Sequence, residues 1–330
     1  MEPSLQLRPE GRRTPALLQD KDPAVNHLIL NQVLTLFLLM AAGLGARRAR
    51  CLPEAAVKGL TDLLLAFCLP MLVFTSFLRP FSPELMAKAA AMLGCSFLVC
   101  AMLTGVGILL YRKAAPERRP GLQFITAYSN SGFLGIPLLA ALFPEYGVFY
   151  GAIFGIAFNS IVFTAGVMLF APRGARPGLA RVALNPVILG TVAGLLCFLG
   201  SLRPPEAVTS ALVLMGGMTT PLSMLIIGAM LAEAKPRDLL GGRLEYGVCA
   251  ARLLLAPLLT LALCALLRAD PVLTRVLVLL EALPAAALAA VFTEKYGGDR
   301  AFVSRCTFLT TALSLATLPV MLELLARFVR

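Results

Sequence analysis

Long, nearly uncharged apolar runs recur along this chain, and they restrict its fold more severely than any other feature. Residues 28–46, 85–111 and 148–171 each reach the ~20 residues that a helix needs to cross a hydrocarbon layer about 30 Å thick. A soluble core cannot absorb them all. The 330 residues are 58% apolar and only 14% charged, with a mean hydropathy of +0.84, whereas globular domains run nearer half apolar and a quarter charged. The surplus apolar surface has to face lipid, so the chain is predicted to be an all-α integral membrane bundle.

Punctuation by Pro, Gly and charge divides the runs into ten predicted spans, at 27–46, 53–78, 84–111, 121–143, 147–170, 179–200, 205–232, 243–267, 272–296 and 300–328. Residues 1–26 form a polar tail of mixed charge without the apolar core of a cleaved signal peptide. The net charge of +11 does not mark a nucleic-acid protein, because the basic residues sit in short clusters between spans. Loops after odd-numbered spans carry most of them, as in Arg47, Arg48 and Arg50 or Arg112, Lys113, Arg118 and Arg119. The positive-inside bias therefore places those loops in the cytoplasm and both termini outside, in a multi-pass protein of the cytoplasmic membrane.

The spans fall into two sets of five, in residues 27–172 and 173–330. Asn31 near the start of the first set is answered by Asn185-Pro186, Pro53-Glu54-Ala55 by Pro205-Glu206-Ala207, Pro70 by Pro221, and Phe143-Pro144-Glu145-Tyr146-Gly147 by Phe292-Thr293-Glu294-Lys295-Tyr296-Gly297. Pro70 and Pro221 are each expected to break their span. An odd number of spans per half makes the second half enter from the opposite side. Two inverted five-helix repeats are the pattern of secondary transporters.

Chemistry concentrates in the fourth and ninth spans. Tyr128-Ser129-Asn130-Ser131-Gly132-Phe133-Leu134-Gly135-Ile136-Pro137 puts polar side chains, glycines and a proline where a lipid-facing helix would hold Leu and Val. Pro137 removes a backbone donor, so the helix is expected to break near Gly135, and Pro284 does the same in the ninth span. Broken backbone at membrane depth survives only where protein or a water-filled cavity satisfies it. If the breaks meet, half-helix N-termini offer partial positive charge to an anion and freed carbonyls can face a cation; two ordinary packed kinks are the alternative. The candidate substrate-binding residues are Asn130, Ser131, Gly135, Pro137, Pro284 and Ala285. Charges inside spans add Glu281, a candidate for proton coupling, and Arg252, a candidate for attracting an anion, with a structural Arg–Glu pair or an Arg reaching the interface as the alternatives. Lys58 and Asp62, four residues apart, are expected to pair on the second span.

Other functional classes find little to work with. His27 is the only histidine, so neither a histidine metal site nor a nucleophile–His–acid set has its parts, and no Walker-type nucleotide loop occurs. The eight cysteines contain no Cys-x-x-Cys pair and read as small buried hydrophobes. No metal, cofactor or enzymatic activity is expected.

At these motifs the chain resembles the auxin efflux carrier family of membrane transport proteins, over nearly everything after residue 26. The matching residues are Asn130 seven before Pro137, Asn185-Pro186, Pro221 with Gly228-Ala229, Arg252 five before Pro257, and Leu283-Pro284 leading to Phe292 and Tyr296-Gly297. The resemblance implies ten helices in inverted repeats, with broken fourth and ninth helices that cross, and one bundle moving as an elevator against a scaffold. It further implies export, exchange or uniport of carboxylates, with the Asn130 amide and the crossover holding the carboxyl group. Plant members have a polar residue after the ninth-span proline and a long central hydrophilic loop. Here residues 285–290 are all Ala and Leu, and a short 173–181 connection replaces the loop, so the chain is more like the bacterial members, some of which move dicarboxylates such as malate. Coupling to H+, to Na+ or to neither stays open, as do a homodimer and the alternative of a membrane ligand sensor that kept the transporter fold.

Overall fold

In the computed structural model, residues 23–171, 183–232 and 241–329 are described, with the side chains of 23–30 and 33 excepted. They form helices α1 (Pro23–Arg48), α2 (Glu54–Ser76), α3 (Pro83–Leu110), α4 (Arg119–Ala127), α5 (Ser131–Leu142), α6 (Gly147–Phe170), α7 (Pro186–Leu199), α8 (Glu206–Ala232), α9 (Arg243–Leu266), α10 (Pro271–Glu281), α11 (Leu288–Tyr296) and α12 (Arg300–Phe328). By length and composition α2, α3, α6, α8, α9 and α12 can each cross a bilayer, while α5 and α7 are shorter apolar helices. Among the described residues there is no strand beyond one isolated bridge. The predicted tail and the 173–181 connection lie largely outside the described residues.

Local chemistry sets several helix starts. Ser82, Asn185 and Asp270 cap α3, α7 and α10 by accepting from Leu85, Val187 and Val272 amides, and each is followed by a proline at the first helical position, where the missing N–H costs nothing. Asp299 caps α12 through the Phe302 amide at 3.0 Å.

Pro70 does not break its span as expected, and the span of Pro221 is interrupted only at Met218, three residues before the proline. The chain stays helical through Pro70 because it widens into a π-turn, Leu64–Cys68, just before it. The same device recurs at Ser131–Gly135 before Pro137 and at Ala251–Leu255 before Pro257. A π-turn shifts the hydrogen-bond register by one residue, which accommodates the donor that proline lacks.

Packing sorts the helices into two groups. α1 lies along the second half of α8, and α2 packs on α7 and on the first half of α8. The approach is close: a Cβ on Gly43 would lie 2.1 Å from the Leu225 carbonyl oxygen, and one on Gly190 would lie 2.8 Å from that of Pro70. In the second group α3 packs on α4 and α6, α9 on α10 and α12, and α11 on α12. Fewer contacts join the groups, among them a hydrogen bond from Thr220 Oγ1 to the Pro137 carbonyl (3.3 Å) and one from Arg79 Nη2 to the Glu145 carbonyl (2.9 Å). Lys58 and Asp62 are both exposed and do not pair with each other, in keeping with the small gain available to a solvated pair. All eight cysteines are free, five of them buried.

Candidate functional site

The fourth and ninth predicted spans are each split in two, and the splits meet. Between α4 and α5, residues 128–130 leave the helix; between α10 and α11, residues 282–287 do so. Ser129 and Ala285 face each other in an antiparallel bridge. The Asn130 amide donates to the Pro284 carbonyl at 2.8 Å, and the Ala286 amide donates to the Tyr128 carbonyl at 3.0 Å. Each unwound segment thus supplies the other with a backbone donor and a backbone acceptor.

The position of the first break differs from the expectation. Gly135 and Pro137 are helical, and the chain opens at Ser129 and Asn130 instead. Pro137 is absorbed by the π-turn ahead of it, while Ser and Asn side chains compete with helical backbone bonding and favour a cap. Gly135 has a different role. It is buried, and a Cβ there would lie 2.7 Å from Leu280 Cδ2 and 2.9 Å from Leu283 Cδ1, so its bare backbone lets α5 seat against the end of α10. Pro284 lies inside the second break as expected.

Of the remaining candidates, Asn130 is half-buried and Ser131 is buried; neither the Asn130 carboxamide nor the Ser131 hydroxyl makes a hydrogen bond within the described residues. Both stand at the N-terminus of α5, whose first-turn amides have no intrahelical acceptor. α11 likewise begins two residues after Ala286. Two helix N-termini, each worth about half a positive charge, therefore start at the crossover beside a free amide donor. Ala285 is buried and its amide donates to Thr310 Oγ1 on α12 at 3.2 Å. Ser129 Oγ is buried without a hydrogen-bond partner among the described residues.

Arg252 and Glu281 come together in the interior, both with no exposed surface. Arg252 Nη1 donates to the Thr126 carbonyl at 3.0 Å, and Nη2 donates to Glu281 Oε2 at 2.5 Å and to the Glu281 carbonyl. The arrangement is the buried Arg–Glu pair that stood as the alternative. The π-turn Ala251–Leu255 turns Arg252 inward rather than toward an interface.

Sequence reasoning missed Thr310, although Thr307, Thr310, Thr311 and Ser314 make a hydroxyl series at helical spacing along an otherwise apolar span. It also missed Tyr128, fully buried, whose hydroxyl shares a 2.9 Å hydrogen bond with Thr104 Oγ1 on α3. Among the described residues no group of three or more His, Cys, Asp or Glu side chains could hold a metal ion.

A family model described as membrane transport protein matches residues 28–181 and again 176–322. The chain belongs to that family, which includes the auxin efflux carriers. A Rhizobium meliloti protein named "Putative malonate transporter" is 28% identical over 311 residues, covering 90% of this chain and 96% of the relative. Uncharacterized transporters of Methanothermobacter thermautotrophicus and Methanocaldococcus jannaschii are 28% and 25% identical, each over 87% of this chain and 95% of their own length. With its long apolar helices, this member of the membrane transport family is a multi-pass membrane protein whose relatives are transporters rather than enzymes.

Proposed function

We propose that the protein is a secondary carrier for small organic anions, with a carboxylate bound at the crossover of the fourth and ninth spans. The observation that carries this reading is the pairing of the two breaks, which leaves two helix N-termini beside the half-buried Asn130 carboxamide, unbonded among the described residues. Such a group offers hydrogen-bond donors and partial positive charge, which complement a carboxylate. The name of the Rhizobium relative supports malonate as the first substrate to try.

On this reading the ten spans form two inverted repeats, 27–172 and 173–330, after a polar tail 1–26, with both termini outside the cytoplasmic membrane. The group of α1, α2, α7 and α8 serves as the scaffold, and the group carrying the crossover moves against it as an elevator. The sparse contacts between the groups support such a motion. Asn130, Ser131, Gly135, Pro137, Pro284 and Ala285 build or shape the site.

The test is Asn130→Ala in proteoliposomes. Malonate uptake should fall by at least about tenfold, as expected for loss of a hydrogen-bond donor to a charged ligand, with the thermal midpoint in detergent unchanged. Undiminished uptake would remove Asn130 from the site. Uptake across a pH series, and with sodium replaced by potassium, reads any coupling to H+ or Na+.

A further inference from the structure

The carrier reading assigns no task to the buried Arg252–Glu281 pair, yet that pair joins the crossover at two points. Thr126, whose carbonyl takes Arg252 Nη1, lies two residues before Tyr128; Glu281, whose carbonyl takes Nη2, lies three residues before Pro284. The carbonyls of Tyr128 and Pro284 are the acceptors of the inter-break hydrogen bonds. Arg252, the end of α4, the paired backbone and the end of α10 therefore close a ring. One guanidinium fixes the separation of two helix C-termini, and that separation sets the register in which residues 128–130 meet 284–286.

Electrostatics favours the same arrangement. Each C-terminal helix end carries about half a negative charge, and the guanidinium sits against both while Glu281 neutralises it. A planar fork is needed to reach two carbonyls and a carboxylate at once, which a lysine ammonium cannot reproduce. Both Nη atoms are occupied, whereas Arg252 Nε and Glu281 Oε1 are buried without a hydrogen-bond partner among the described residues.

We propose that Arg252 is a positioning residue for the anion site: it clamps the ends of both broken helices so that Asn130 and the two helix N-termini stand in register, with Glu281 as its fixed counter-charge. The proposal rests on the carrier reading for its transport consequence, though not for its structural one. It assigns to Arg252 no contact with the transported anion and to Glu281 no exchange of protons.

The test uses Arg252→Gln/Glu281→Gln, which removes both charges together so that neither is left buried alone, and Arg252→Lys, which keeps the charge and loses the fork. Amide exchange followed by mass spectrometry in detergent should accelerate at least about tenfold in peptides covering 128–131 and 284–287, with the thermal midpoint held to within a few degrees. In proteoliposomes the KM for malonate should rise with the double variant and with Arg252→Lys, and adding Asn130→Ala should raise it little further, because Asn130 is already displaced. The pH profile of uptake should keep its wild-type shape in the double variant. Unchanged exchange at the crossover overturns the clamp whether or not malonate is carried. Independent, multiplying effects of Arg252→Lys and Asn130→Ala would make Arg252 a direct anion ligand, and a lost pH dependence would make Glu281 a proton carrier; either result overturns the assignment. If Asn130→Ala in the wild-type background leaves uptake intact, the carrier site fails on its own, and the exchange data still judge the clamp.

Discussion

Alanine at Gly228 should destabilise the protein, whereas alanine at Gly94 should stabilise it, and the difference follows from what each new methyl would meet. At 228 the Cβ would lie 1.9 Å from the Met40 carbonyl oxygen and 2.9 Å from the Leu44 nitrogen. Both obstacles are backbone of α1, so no rotamer change relieves them, and α1 and α8 have to separate by about 1 Å or more, enough to forfeit a quarter to a half of each dispersion contact there. Overpacking of this kind costs typically about 1–3 kcal/mol, and the rigid obstacle puts Gly228 near the upper end. Alanine recovers about 1 kcal/mol of helix propensity, leaving a net loss of about 2 kcal/mol. Gly94, exposed on α3, has nothing within 4 Å of its Cβ, so only the gain of ~1 kcal/mol remains. Denaturant unfolding of the two variants in the same detergent should move the midpoints in opposite directions. Shifts of the same sign and size would refute the argument that α1 and α8 are held by bare backbone contact.

Glu281→Gln alone should cost about 3–5 kcal/mol, because it leaves Arg252 charged and buried; an unaltered midpoint would mean that the pair is not desolvated. Thr310→Val should cost about 1–3 kcal/mol by stranding the Ala285 amide, and Thr310→Ser should restore most of it; equal losses for both would show that the hydroxyl is not the acceptor. Asp299→Ala should lower stability by about 1 kcal/mol through loss of the α12 cap, read by the same unfolding assay. The Asp299 carboxyl is held below its ordinary value, first by the Phe302 amide and then by Arg118 at 2.9 Å. Its contribution is therefore complete above the ordinary carboxylate range and is lost as pH falls through the lowered value. Wild type should lose stability on acidification more steeply than Asp299→Ala, and parallel acid curves would contradict this.

Hydropathy, punctuation and capping residues are properties of short segments, and for that reason the sequence alone determined where helices run and that the fourth and ninth spans carry polar, proline-bearing interruptions. Asn185-Pro186 starts α7 because cap and proline act within one turn, seven residues inside the predicted span 179–200. The consequence of a proline further inside a helix is different: the missing donor is local, but whether a π-turn absorbs it or the chain opens depends on what can receive the freed backbone groups. The tertiary structure alone decided that Pro137 sits in a bulged helix while Ser129 and Asn130 open, since the ninth-span segment supplies the partners of the Asn130 amide and the Tyr128 carbonyl. It alone decided, too, that Arg252 and Glu281, 29 residues apart in the chain, neutralise one another at the ends of two helices. A buried charge selects its partner by proximity in space, and no period or spacing within one span encodes that distance.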